Sequence, residues 1–166
     1  MKAEWASIPK AAASTVSLIQ VEALVRGVCD ALQQRAERAG TRIVVECGGG
    51  LMMGDTLALH DTLYDLLNGA VAATPREREV HLATRVTAQG DQLWTIRDVG
   101  PAMLEEVMRC ASVAMSHGGS LVFEAREREG TTVRMWLPRD GRTRDVLTVA
   151  APRRRHGNVV YLRDRE

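Results

Sequence analysis

The sequence predicts an α/β fold: a two-layer sandwich of three helices on one mixed β-sheet. Three observations carry this. Three segments place apolar residues at helical spacing and are bounded by start or stop residues. The segments between them are short and β-branched, or alternate apolar with polar residues, as strands do. Helices and strands alternate along the chain, and the closing strands follow one another as neighbours, which suits helices laid over a sheet.

The elements follow in order. Residues 1–14 read as a lead-in with a small-residue run, Ala11-Ala12-Ala13. Thr15 to Ile19 is expected as a short edge strand. Val21 to Ala39 carries Val21, Leu24, Val25, Val28, Leu32 and Ala36 on one stripe, and Gly40 is a C-cap. Thr41 to Glu46, TRIVVE, is a short β-branched strand, and Gly48-Gly49-Gly50 a turn. Asp55 N-caps a helix over Thr56 to Ala73, which Thr74-Pro75 stops. Glu79 to Thr87 alternates, with Val80, Leu82 and Val86 facing one way. Gln89-Gly90-Asp91 turns the chain into a strand over Leu93 to Asp98. Met103 to Ser116 is a helix with Leu104, Val107, Met108, Ala111 and Met115 inward. Ser120 to Glu127 and Thr131 to Leu137 pair as a hairpin around Glu129-Gly130. Beyond them, DVLTVA and NVVYL are either two further strands or part of a disordered basic extension.

The chain has 166 residues, the size of one domain, and 45% apolar residues, enough for a core without disulfides. Aromatics are only 4%, so Leu, Val, Ala and Met must fill that core. The net charge of +1 gives no global attraction to nucleic acid or membrane. Charge is uneven, however. From Arg139 to Glu166 eight Arg face four acids, a local net of +4, and the preceding residues carry a net of −3. Arg153-Arg154-Arg155 reads as a solvated basic turn, and nucleic-acid binding is not expected. Cys29, Cys47 and Cys110 follow no paired spacing, which fits three structural thiols in a reducing, cytoplasmic setting. No apolar run reaches the roughly 20 residues of a membrane helix.

The stretch from Leu93 to Pro138 holds the landmarks. A strand ends in Asp98-Val99-Gly100, a helix ends in His117-Gly118-Gly119, and Gly130-Thr131-Thr132 opens the last strand. This order resembles the second half of the ATP-binding domain of sensor histidine kinases, a branch of the wider family that includes gyrase and the Hsp90 chaperones (the GHKL, or Bergerat, fold). The resemblance spans Thr15 to Pro138. It implies a histidine-kinase-like ATPase-fold domain over 15–138; the residues on either side read as a flexible lead-in (1–14) and a basic C-terminal extension (139–166) with no counterpart in the family.

The resemblance also implies site residues. In these kinases an Asp-x-Gly-x-Gly box receives the adenine amino group on its Asp, and its glycines let backbone approach the ligand. Here Asp98 and Gly100 stand in that box, and Ala102 replaces the second glycine. Thr131 aligns with a threonine beside adenine. Two Asn four residues apart on the second helix face the phosphates and Mg²⁺ in the family. Here Asp65 takes the first position and Gly69 the second, while Asn68 falls one residue early. The residual adenine-site candidates are therefore Asp98, Gly100, Thr131, Asp65 and Asn68. The family's lid and glycine-rich phosphate loop have no counterpart between Met103 and His117, and Glu105-Glu106 at that helix start would repel a triphosphate.

These features predict a module with no catalytic residue, no metal site and no expected cofactor, working by protein–protein binding in bacterial-type two-component signalling. Its expected partner is a response-regulator receiver domain, or a second copy through the first helix. The alternative is a compact domain that still binds ATP or ADP with Mg²⁺, as in a sensor or anti-sigma-type kinase. A third reading is a histidine phosphotransfer protein using His60, which an acid, Asp61, follows. His117 is expected to cap a helix C-terminus, where positive charge is favoured.

Overall fold

The structure is a computed structural model that describes residues 15–101, 104–126, 129–141 and 158–162. The expected lead-in over 1–14, Ala102, the strand at 145–150 and the Arg153–Arg155 turn lie outside the described residues.

Eleven elements are described: β1 Val16–Gln20, α1 Val21–Ala39, β2 Arg42–Cys47, β3 Leu51–Asp55, α2 Thr56–Ala73, β4 Glu79–Val86, β5 Gln92–Asp98, α3 Leu104–Ser116, β6 Ser120–Arg126, β7 Gly130–Leu137 and β8 Asn158–Leu162. Three helices cover one side of a mixed six-stranded sheet ordered β2-β4-β5-β7-β6-β8. β2 and β4 are parallel, and every other pair in that sheet is antiparallel. This is the two-layer sandwich that the sequence predicts.

The helices form where the apolar stripes predicted them. α1 buries Val21, Leu24, Val25, Val28, Leu32 and Ala36. It ends at Gly40, whose φ of 68° is left-handed, and Thr41 N–H closes the cap on the Ala36 carbonyl at 2.9 Å. α2 starts at Asp55, whose Oδ1 accepts Ala58 N–H at 3.0 Å. It buries Leu59, Leu63, Leu66, Leu67, Ala70 and Val71. α3 presses Val107, Cys110, Ala111 and Ala114 into the same core, whereas Met108, expected inward, is exposed.

Two differences from the expected order matter below. First, β1 is not an edge of the main sheet. It pairs antiparallel with β3 in a separate two-stranded sheet, in the register Leu18↔Met53. β3 itself, LMMGD, has no counterpart in the expected order. Its inner side chain Met52 is buried against the core, yet its outer side chain Leu51 is apolar too. The polar half of the alternation that announces a strand is therefore missing. Second, of the two readings left open for NVVYL, the strand is the one found: it forms β8 and joins β6, with Val122 opposite Tyr161.

The main sheet has one helix-covered side and one bare side. Val80, Leu82, Trp94, Ile96, Val133, Met135, Leu121 and Phe123 point to the helices and are buried. The bare side carries the intervening residues, including His81, Arg85, Arg97 and Arg134.

Candidate functional site

Asp98 ends β5 and Thr131 begins β7, and the two stand directly opposite each other in the antiparallel ladder. Both face the helix layer and both are buried. Asp98 Oδ1 accepts Gly100 N–H at 2.7 Å, and Thr131 Oγ1 donates to the Gly100 carbonyl at 3.2 Å. The three residues that the sequence proposes for adenine recognition are thus one hydrogen-bonded cluster. Burial pushes the Asp98 carboxyl up to about 6, and the Gly100 N–H opposes that rise.

The cluster opens on a cavity of about 20 Å³, room for about one water. Leu66, Gly69, Ala70 and Ala73 of α2 form one wall, and Glu106 and Val107 of α3 another. The floor is Ile96, Asp98, Thr131 and Val133 of the sheet, and Pro101 completes the lining. The cavity is small because α3 starts at Leu104, three residues after Pro101, and packs straight onto α2. Cys110 Sγ lies 3.7 Å from the Thr62 carbonyl across that junction.

Gly100 has a packing role that the sequence does not announce. A Cβ there would lie 2.3 Å from the Ala73 backbone oxygen, at the end of α2. The close approach that requires glycine is thus to a helix terminus of the chain itself. Gly130 is similar: its φ is +89°, and a Cβ would meet the Asp98 carbonyl oxygen at 2.0 Å.

The remaining candidates do not join the cluster. Asp65 is not in the cavity lining, and its negative charge bears instead on Cys110 of α3. Asn68 is not in the lining either. Its Oδ1 is buried without a hydrogen-bond partner. The helix position that does face the cavity is Gly69, which has no oxygen for a cation. The residues present therefore fit the purine end of an adenine nucleotide in kind, through Asp98 and Thr131. The α2 residues that line the cavity offer no side-chain oxygen for Mg²⁺, and Glu106 sets a carboxylate into the wall.

Among the described residues no group of three or more His, Cys, Asp or Glu is placed to hold a metal ion. His60 is on the surface of α2, with Nδ1 3.3 Å from Asp61 Oδ1. His117 is buried, with Nε2 accepting Asp55 N–H at 3.0 Å and Nδ1 2.8 Å from the Val113 carbonyl. It does meet a carbonyl of the last turn of α3, as a cap would. The correction is in the electrostatics: a ring that must accept at Nε2 acts as an acceptor there, not as a cation.

A larger concavity than the Asp98 cavity lies elsewhere among the described residues and was not signalled by any motif. It is a groove of about 760 Å³ on the bare side of the sheet, lined by Val44, Glu46, His81, Arg85, Leu93, Arg97 and Thr132, among others. The only trace of it in the sequence is the polar half of the β4 and β5 alternation. Its acids and bases are mixed, so it carries no single-sign field.

No protein-family model matches the chain, and no curated protein matches it. Solved structures do. The catalytic domain of histidine kinase ThkA superposes with a TM-score of 0.69 at 16% identity, over 78% of this chain and 99% of that one. Histidine kinase AdeS of Acinetobacter baumannii gives 0.64 at 14% identity, over 75% of this chain and 68% of that one. ThkA in complex with the response regulator TrrA gives 0.67 at 16% identity, over 78% of this chain and 43% of that one. At these identities the likeness establishes the fold, that of histidine-kinase ATPase domains. No helix among the described residues is long and apolar enough to cross a membrane.

Proposed function

We propose that this chain is a signalling module that works by binding another protein, on a histidine-kinase ATPase fold whose nucleotide grip has been lost. The observation that carries the reading is the 20 Å³ cavity beside Asp98 and Thr131. A purine with its phosphates needs a far larger cleft, and here Glu106 and Val107 of α3 form part of the cavity wall. Three further features support it: Gly69 where the resembled kinases place a magnesium ligand, the two-residue link between Pro101 and α3, and Glu106 in the cavity wall. The partner proposed is a response-regulator receiver domain, because ThkA, with the same fold, forms a complex with a response regulator. The test is an amide-resonance titration of the labelled chain with isolated receiver domains, without nucleotide. Saturable shifts clustered on one surface are expected. A spectrum unchanged by every receiver at millimolar concentration contradicts the partner assignment.

A second reading has its own support. Asp98 and Thr131 remain together on the cavity floor, and Asp98 keeps a carboxyl that is costly to bury. A domain that opens by moving α3 and then binds ATP or ADP with Mg²⁺ would retain that pair. It predicts nucleotide binding that Asp98→Asn abolishes without unfolding the protein.

A further inference from the structure

We infer that β1 is a self-pairing edge, through which two copies of this chain associate as antiparallel β1 strands about a two-fold axis at Leu18. The inference does not depend on the fate of the nucleotide site.

The ladder between β1 and β3 shows which backbone groups are free for this. Val21 N–H donates to the Gly50 carbonyl at 3.1 Å. In an antiparallel ladder bonded pairs alternate with unbonded ones, so the pairs at Ile19 and Ser17 are bonded. The peptide groups of Gln20, Leu18 and Val16 then point away from β3. Met53, opposite Leu18, confirms the alternation: its N–H points out of the other side and donates to the Arg139 carbonyl at 2.7 Å. The outer edge of β3 is thus met by the chain's own backbone. Among the described residues nothing pairs with the outer edge of β1.

That edge lacks the usual guards. Exposed edge strands are normally protected by a charge, a proline or a bulge. β1 reads VSLIQ, with none of these. Two of its three outward side chains are apolar and open: Val16 is 59% and Leu18 63% exposed beside the polar Gln20, and Leu51 of β3, paired with Gln20, adds an apolar side chain 43% exposed. Residues 16 to 20 are also self-complementary. An antiparallel copy centred on Leu18 sets Leu18 against Leu18 and Val16 against Gln20, so every outward peptide group finds its counterpart and no like charges meet. A second copy is therefore a better occupant than a charged partner. The five residues of β1 are far fewer than the roughly 20–30 a side of a standard interface, so association should be weak and concentration-dependent.

The test is sedimentation velocity of the full chain from micromolar to near-millimolar concentration, beside Leu18→Lys. The mass is expected to rise from the 18.2 kDa monomer towards twice that value. Leu18→Lys should weaken the dimer by at least about tenfold, because it places a charge on the pairing edge. Its circular dichroism should be unchanged, since Leu18 lies on the surface. Hydrogen exchange at the Leu18 amide should slow as the wild-type dimer forms. A wild-type chain that stays monomeric throughout overturns the inference, as does a dimer that Leu18→Lys leaves equally tight. If removing residues 1–14 turns a monomer into a dimer, the occupant of the edge is that segment, and the inference fails.

Discussion

His117 accepts the backbone N–H of Asp55 through Nε2 at 3.0 Å, tying the end of α3 to the first residue before α2. The peptide nitrogen can only donate, so Nε2 must accept, and Nδ1 carries the hydrogen directed at the Val113 carbonyl. Asp55 meanwhile caps α2 with its side chain. One imidazole thus fixes the spacing of the two helices that enclose the Asp98 cavity. His117→Ala is expected to destabilise the fold by about 2–4 kcal/mol, through an orphaned amide and a void beside Leu59. Urea unfolding, with the slope unchanged and the midpoint lowered, checks this.

Gly100 separates a ligand-facing glycine from a packing glycine. If its lack of a Cβ served a bound nucleotide, Gly100→Ala would leave the apo fold intact. The 2.3 Å approach to the Ala73 oxygen predicts otherwise. A methyl group there must push α2 from the sheet, at a cost of about 2 kcal/mol or more. A fall in melting temperature without ligand is the expected result.

Asp98 should make stability depend on pH. Its folded-state pKa, about 6, lies above the ordinary value of 3.8 because burial penalises the charge. The folded protein therefore binds a proton first as pH falls. Stability should rise as pH drops from 7 through 6 and level off below the unfolded value, near 4. Asp98→Asn keeps an oxygen to accept the Gly100 N–H and removes the buried charge. It should stabilise the protein at pH 7.5 by about 1–3 kcal/mol and flatten this part of the pH profile. Denaturant titrations at pH 7.5 and pH 5 measure both effects.

The cysteines should differ in reactivity. Cys110 is buried and its thiol is pushed up to about 12, by desolvation first and then by the Asp65 charge. Cys29 is raised as well, chiefly by desolvation, whereas Cys47 is exposed. Iodoacetamide on the native protein should label Cys47 first and spare Cys110 until denaturant is added. Mass mapping of the labelled peptides reads the order.

Much of this architecture was legible in the sequence, because helix stripes and caps are local. Leu24, Val28 and Leu32 with Gly40, and Asp55 with Thr74-Pro75, mark α1 and α2 to within a residue. β3 was not legible, since Leu51 and Met53 put apolar side chains on the face where an alternating strand shows polar ones. The cluster of Asp98, Gly100 and Thr131 was readable as a set of residues through its resemblance to the kinase boxes. Its geometry was not. An Asp-x-Gly turn is the same three letters whether the glycine faces a ligand or, as here, the carbonyl end of α2. Nor could spacing show that α3 would pack beside the floor, because that depends on contacts such as Cys110 with the Thr62 carbonyl, 48 residues apart in the chain.

Calorimetric titration of the full chain with ATP in the presence of Mg²⁺ tests the central claim most directly. With α3 seated on α2 and no oxygen ligand at Gly69, the account predicts no saturable heat at nucleotide concentrations up to the millimolar range. Micromolar, magnesium-dependent binding that Asp98→Asn removes would contradict it.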